Sequence, residues 1–130
     1  MGATPFRIVI AEDDPDIRRL TAITLRRRGY EVLEASDGDT ALALIRSEHP
    51  DVAVLDDMMP GLSGVEVTRL LAADEATAGI PVVLASAKGQ ASELERGLAS
   101  GARAYVVKPF APADLAAAVA GCLPDRAPSG

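Results

Sequence analysis

This chain is poor in the residues that usually announce a chemistry. Of its 130 residues, one is cysteine, one is histidine and none is tryptophan. A lone Cys122 cannot close an internal disulfide, so no oxidised framework is expected and a reducing compartment is the default. Aromatic side chains make up 3%, too few for platforms that stack bases or flavin rings. Cations are outnumbered, with 13 Lys and Arg against 19 Asp and Glu, a net charge of −6. A dedicated nucleic-acid binder needs a basic stripe, so direct nucleic-acid contact is not expected. No apolar run has the length to span a bilayer. The opening Met1-Gly2-Ala3-Thr4-Pro5-Phe6 has neither the basic nor the apolar region of a signal peptide. Phe6 also stands where a myristoylation signal wants Ser or Thr. No membrane contact is expected, and the expected location is the cytoplasm.

What is present is an ordinary core composition with oddly placed charges. Hydrophobic residues make up 48% and charged residues 25%, which suits one globular domain. Strand-length apolar runs begin near Phe6, Val32, Val52, Val82 and Ala104. Helical spacing lies between them. Asp14 caps a first helix with Pro15 at its first position. That helix is expected to bury Ile17, Leu20 and Leu25 and to end on Arg26-Arg27-Arg28 before Gly29. A second helix near Asp39 to Glu48 groups Ala41, Leu44 and Ile45. A third starts near Ser63 and is expected to bury Val67, Leu70 and Leu71. A fourth carries Leu94 and Leu98 and stops before Gly101. A fifth starts near Pro112 and aligns Leu115, Ala118, Val119 and Cys122.

Five βα units with short loops leave few topologies. Right-handed crossovers place helices on both faces of a parallel sheet. The expected fold is α/β, a doubly wound (βα)5 flavodoxin-like three-layer sandwich with strand order 2-1-3-4-5. Residues 6–123 form the domain. Residues 1–5 are expected to be disordered, and residues 124–130 to be a disordered tail or the start of a linker. With so short a tail, the chain reads as a stand-alone domain or as a fragment of a longer protein.

Three apolar strands end in charge. Ile8-Val9-Ile10-Ala11 runs into Glu12-Asp13-Asp14, Val52-Ala53-Val54-Leu55 into Asp56-Asp57, and Tyr105-Val106-Val107 into Lys108-Pro109-Phe110. The carboxyl edge of a parallel sheet is where open α/β folds hold ligands. Acids gathered there repel one another unless a cation sits among them, and a hard divalent ion with oxygen ligands satisfies them. Alone, Glu12-Asp13-Asp14 would read as an acidic helix N-terminus. Lys108 would read as a surface lysine, Ser86 as a turn residue and Tyr105 as a half-buried strand tyrosine.

Together, Val9-Ile10-Ala11-Glu12-Asp13-Asp14-Pro15, Leu55-Asp56-Asp57-Met58-Met59-Pro60-Gly61-Leu62-Ser63-Gly64, Ser86-Ala87-Lys88 and Tyr105-Val106-Val107-Lys108-Pro109-Phe110 resemble the receiver domain of two-component response regulators. The resemblance covers about Phe6 to Leu123. It implies a signalling switch, not a turnover enzyme: a domain that catalyses only its own phosphorylation and autodephosphorylation. A sensor histidine kinase or a histidine phosphotransfer protein would donate the phosphoryl group to one aspartate. The family pattern places Met-Pro three and four residues after that aspartate and Gly eight after. Counting from Asp56 reaches Met59, Pro60 and Gly64, whereas counting from Asp57 misses them. Asp56 is therefore the expected acceptor. Asp57 is read as a solvated charge facing away, at a position where the family usually carries an apolar or aromatic residue.

The resemblance also implies the supporting roles. Asp13 and Asp56 would ligate Mg2+, with Mn2+ as a substitute. The Met58 backbone carbonyl would add a third oxygen, and Glu12 would act through bound water. Lys108 would bridge Asp56 and the phosphoryl group, with a cis Lys108-Pro109 peptide. Ser86 and Tyr105 would be the switch pair, moving the face built by the fourth helix, fifth strand and fifth helix. That face would also be the surface of any homodimer. Met58 and Lys88 would tune the lifetime of the phosphorylated state. Two other readings remain beside this one. A Mg2+-dependent aspartyl phosphohydrolase of the haloacid dehalogenase type wants an acid two residues after the nucleophile, where this chain has Met58. A receiver-like module that binds partners without phosphorylation would not need every site position filled, as it is here. His49 reads as a helix-end residue and Cys122 as core.

Overall fold

The computed structural model describes residues 4–124. Its elements alternate as β1 (Arg7–Ala11), α1 (Pro15–Arg27), β2 (Glu31–Ala35), α2 (Gly38–Glu48), β3 (Val52–Asp56), α3 (Gly64–Ala73), β4 (Val82–Ser86), α4 (Ala91–Ala99), β5 (Ala104–Val107) and α5 (Pro112–Cys122). All strand pairs are parallel, in the order β2-β1-β3-β4-β5. This is the doubly wound sheet that the alternating signals predicted. Thr4, Pro5 and Pro124 lie outside regular structure, and the remaining terminal expectations fall on residues outside the described range.

Local chemistry sets most of the helix starts. The Asp14 side chain accepts from the backbone N–H of Asp16 and Ile17, satisfying two donors at the head of α1. Asp37 does the same for α2 through the Thr40 N–H. Ser63 and Glu66 form a reciprocal capping box on α3. Gln90, the N-cap of α4, makes no side-chain cap bond. Gly29 and Gly101 take φ of 92° and 116° after α1 and α4, a left-handed region that costs glycine little.

Alternation along the strands divides the core into two layers. Val9, Ala53, Leu55 and Leu84 face Ala41 and Ile45 of α2 and Val67 and Leu71 of α3. Ile8, Ile10, Val52, Val54 and Val83 face Ala22 and Leu25 of α1 and Leu115, Ala116 and Val119 of α5, with Cys122 among them. The central strands β3 and β4 are buried at every position, as strands covered on both faces must be.

The helix faces are narrower than the apolar stripes suggested. Ile17 and Leu20 are 37% and 54% exposed, and Leu70 and Leu98 are 40% and 46% exposed. One sheet face covers only the residues pointing straight at it: Thr21, Ala22 and Leu25 on α1, and Gly64, Val67, Thr68 and Leu71 on α3. Ile17 and Leu20 instead line an open groove with Phe110, Pro112 and Leu115.

Candidate functional site

Sheet register assembles the site. Ala11 of β1 pairs with Leu55 of β3, so Glu12 and Asp56 leave adjacent strands at the same level. Asp56 pairs with Ala85, and Ser86 pairs with Val107, which puts Ser86 and then Lys108 at that same edge. The Lys108 N–H donates to the Ser86 carbonyl at 2.8 Å, turning the β5 end over β4. The Lys108-Pro109 peptide is cis.

The ammonium of Lys108 reaches Asp56 Oδ2 at 3.1 Å and Glu12 Oε1 at 2.5 Å. Asp56 and Glu12 are buried, at 3% and 6% exposure. Asp13 is exposed, yet one oxygen from each of Glu12, Asp13 and Asp56 lies within 4.8 Å of the others. Glu12 is fixed from its own loop as well: its Oε2 accepts from the Asp14 N–H at 3.2 Å. The Met58 N–H donates to Asp56 Oδ1 at 3.4 Å, bringing the turn after β3 back over that carboxylate. A Cβ on Gly64 would lie 2.6 Å from the Asp56 carbonyl oxygen, so glycine is needed where α3 starts beneath the site.

One ammonium does not balance three carboxylates. Burial pushes the Glu12 carboxyl above the ordinary carboxylate range, and the neighbouring Asp56 adds to the rise, while Lys108 opposes it. Burial disfavours the Lys108 charge too, but its hydrogen bonds to Glu12 and Asp56 outweigh that and hold the ammonium above its usual value. The cluster is short of positive charge and offers only oxygen donors. That donor set fits a hard divalent cation better than zinc or a thiophilic metal.

Ser86 is fully buried and its Oγ accepts from the Lys88 N–H at 3.1 Å. The Tyr105 hydroxyl donates to the Lys88 carbonyl at 2.8 Å. Gly97 lets α4 approach the Tyr105 ring, since a Cβ there would sit 2.7 Å from it. Met58 is 60% exposed. His49 lies apart from the site, as the left-handed C-cap of α2 with φ of 47°.

Asp57 corrects the sequence reading. It does face away from Asp56, but it is 9% exposed and not solvated. Its Oδ1 accepts from the Val65 N–H at 3.3 Å, and its Oδ2 lies 3.9 Å from the Lys88 ammonium. The chain folds back from Gly64 onto the end of β3, and that return covers the carboxylate. Sequence reasoning also missed Arg18, whose Nη1 donates to the Glu12 carbonyl at 2.8 Å. Its place one turn into a helix capped by Asp14 was the available signal.

Fold and site define a class: a doubly wound α/β domain whose sheet edge holds a lysine-bridged acidic cluster suited to a divalent cation. The comparisons with known proteins narrow this. The model of the response regulator receiver domain matches residues 8–120. The chain is 41% identical over 113 residues to the DNA-binding response regulator MtrA of Mycolicibacterium smegmatis, covering 87% of this chain and 48% of that protein. It is 43% identical over 110 residues to the phosphate regulon transcriptional regulatory protein PhoB of Pseudomonas aeruginosa, covering 85% and 48%. Among solved structures, chemotaxis response regulator CheY4 of Vibrio cholerae superposes with a TM-score of 0.87 at 29% identity, covering 92% of this chain and 100% of that one. A putative response regulator from Chloroflexus aurantiacus gives 0.86 at 30%, covering 92% and 98%. This chain belongs to the receiver domain family of two-component response regulators. It spans about half the length of the curated relatives it matches.

Proposed function

We propose that this domain is a phosphorylation-activated switch, and that Asp56 takes a phosphoryl group from a histidine kinase or a histidine phosphotransfer protein. One observation carries the reading. A buried aspartate at a strand end is bridged by Lys108 at 3.1 Å and sits in a carboxylate cluster within 4.8 Å.

An Asp56 oxygen attacks the phosphorus of a phosphohistidine. The P–O bond forms as the P–N bond breaks, and the leaving imidazole nitrogen keeps the electron pair and takes a proton. Like charges oppose this attack, so catalysis is chiefly positioning and charge stabilisation. Asp13, Asp56 and the Met58 carbonyl would hold Mg2+, or Mn2+ in its place, with Glu12 beside them. The ion supplies positive charge at the phosphoryl oxygens. Lys108, already within hydrogen-bond distance of Asp56, moves its bonding from the bare carboxylate to a phosphoryl oxygen. Ser86 exchanges the Lys88 N–H for a bond donated to another phosphoryl oxygen. Tyr105 then loses its fixed acceptor, because the Lys88 carbonyl moves with Ser86. The α4-β5-α5 face shifts with it and changes its affinity for a partner, an output domain or a second copy of the chain.

Catalysis on this reading is confined to the domain's own phosphorylation and dephosphorylation. Met58 and Lys88 flank the path of the hydrolytic water and set the lifetime. A phosphohydrolase is disfavoured because Met58 occupies the position where such an enzyme places its general acid. A domain that binds without phosphorylation would have no use for a complete acid cluster with its lysine. Direct nucleic-acid contact by this domain is disfavoured by its charge of −6. Any such contact would fall to other parts of a longer regulator, as would cytoplasmic signalling beyond this domain.

Incubation with acetyl phosphate and Mg2+, followed by intact-mass measurement, tests the reading. The expected result is one phosphoryl adduct, lost in Asp56→Asn and on chelation of the metal. Steady phosphate release without an adduct would select the hydrolase, and no reaction at all the binding module.

A further inference from the structure

The Asp57–Lys88 pair has no part in the transfer just described, yet it touches the segment that must move. Asp57 is nine-tenths buried, and Lys88 is the cation within ion-pair distance of it among the described residues. Lys88 is tied at three points. Its N–H donates to Ser86 Oγ, its carbonyl accepts from the Tyr105 hydroxyl, and its ammonium faces Asp57. Two of these ties run to the proposed switch residues. The third runs to Asp57, the residue that follows the proposed acceptor at the end of β3.

Beside the pair lies a cavity of about 310 Å³ between α3 and α4, lined by Val65, Glu66, Arg69, Glu93, Arg96 and Tyr105. The Lys88 side chain is 46% exposed, against 11% for that of Asp57. The aspartate end is therefore the fixed one and the ammonium the free one. Room for the lysine to leave is already present.

We propose that Asp57 is a positioning residue that holds the β4–α4 segment in its unphosphorylated arrangement through the Lys88 ammonium. The inference rests on the phosphoryl-switch reading and deepens it. Release of Ser86 from the Lys88 N–H requires the segment to shift, and the shift separates the ammonium from Asp57. The pair thus opposes activation before phosphoryl transfer and is broken by it. A half-exposed ion pair contributes modestly, so the bias is about two- to fivefold.

The experiment is a double-mutant cycle on the whole chain, reading the rate of Asp56 phosphorylation by phosphoramidate at saturating Mg2+. Asp57→Asn keeps the oxygen that accepts from Val65 and removes the charge. We expect Asp57→Asn and Lys88→Gln each to raise the rate about two- to fivefold, and the double variant to gain no more than either. Lys88→Arg, which keeps the cation, gains less than Lys88→Gln. The advantage of Asp57→Asn shrinks as sodium chloride is raised, because salt screens the pair. An undiminished Asp57→Asn effect in the Lys88→Gln background would overturn the inference, since the aspartate would then act on the phosphoryl donor directly through space. Unchanged rates in the single variants, or Lys88→Arg as fast as Lys88→Gln, would also overturn it. Wild-type protein that forms no adduct would instead sink the switch reading on which it depends.

Discussion

The two sides of the sheet are built to different standards. On the β1–β3 side the helices are capped and β1 and β3 are almost wholly buried. Asp14, Asp37 and Ser63 satisfy the first turns of α1, α2 and α3, and β3 is buried throughout. On the β5 side, α4 has no side-chain cap and buries only Gly97, while β5 has no fully buried residue. Asp56, the proposed acceptor, belongs to the first side. Tyr105 and Lys88 belong to the second, with Ser86 on the boundary. Chemistry that needs fixed distances sits where burial is complete, and a face proposed to move sits where little apolar contact must be given up.

That contrast predicts unequal responses to matched mutations. Leu71→Ala on α3 should cost about 2–5 kcal/mol, because Leu71 is 1% exposed and leaves a cavity. Leu98→Ala on α4, where the side chain is 46% exposed, should stay within about 0.5 kcal/mol. Urea unfolding followed by circular dichroism measures both, and equal losses would erase the distinction between the two sides.

Helix caps give a smaller and more local comparison. Removing the α3 cap with Ser63→Ala should cost about 1 kcal/mol. Adding a cap to α4 with Gln90→Asp should stabilise that helix by up to about 1 kcal/mol, because Gln90 already has the extended backbone a cap adopts, with φ of −72° and ψ of 149°. Amide exchange should slow within α4 and hardly change in α1. Uniform slowing through the whole chain would mean that α4 does not open separately.

The smallest effect concerns acid. Hydrogen bonds from the Thr40 N–H and hydroxyl hold the Asp37 carboxyl below the usual carboxylate range. The folded pKa lies below the unfolded one, so this contribution is fully present above the ordinary carboxylate pKa. It fades as pH falls through the folded value. Asp37→Asn keeps a cap and lacks the charge. Its urea midpoint should trail wild type at neutral pH and meet it in acid, and a gap that persists at low pH would assign the difference to packing.

Much of this was legible in the sequence because it depends on short-range rules. Apolar runs of strand length, the cap at Asp14, and glycines after helices gave the order of elements. Charged residues at strand ends gave the edge where the acidic cluster gathers, since such residues have no place in a core. The helix faces were less legible. Ile17, Leu20, Leu70 and Leu98 have the right spacing for burial, but spacing does not reveal how wide a face the sheet can cover. Asp57 misled for a related reason: strand alternation gave its direction, and nothing local showed that the start of α3 would fold over it.

By itself, the sequence determined the succession of strands and helices and the residues proposed to bind a cation and carry a phosphoryl group. Those properties follow from side-chain chemistry and from periodicities a few residues long. Only the tertiary structure decided that Lys108 would bridge Asp56 and Glu12 together, and that Asp57 would be buried against Lys88. Such pairings depend on the register between strands distant in the chain and on the loops that close over their ends.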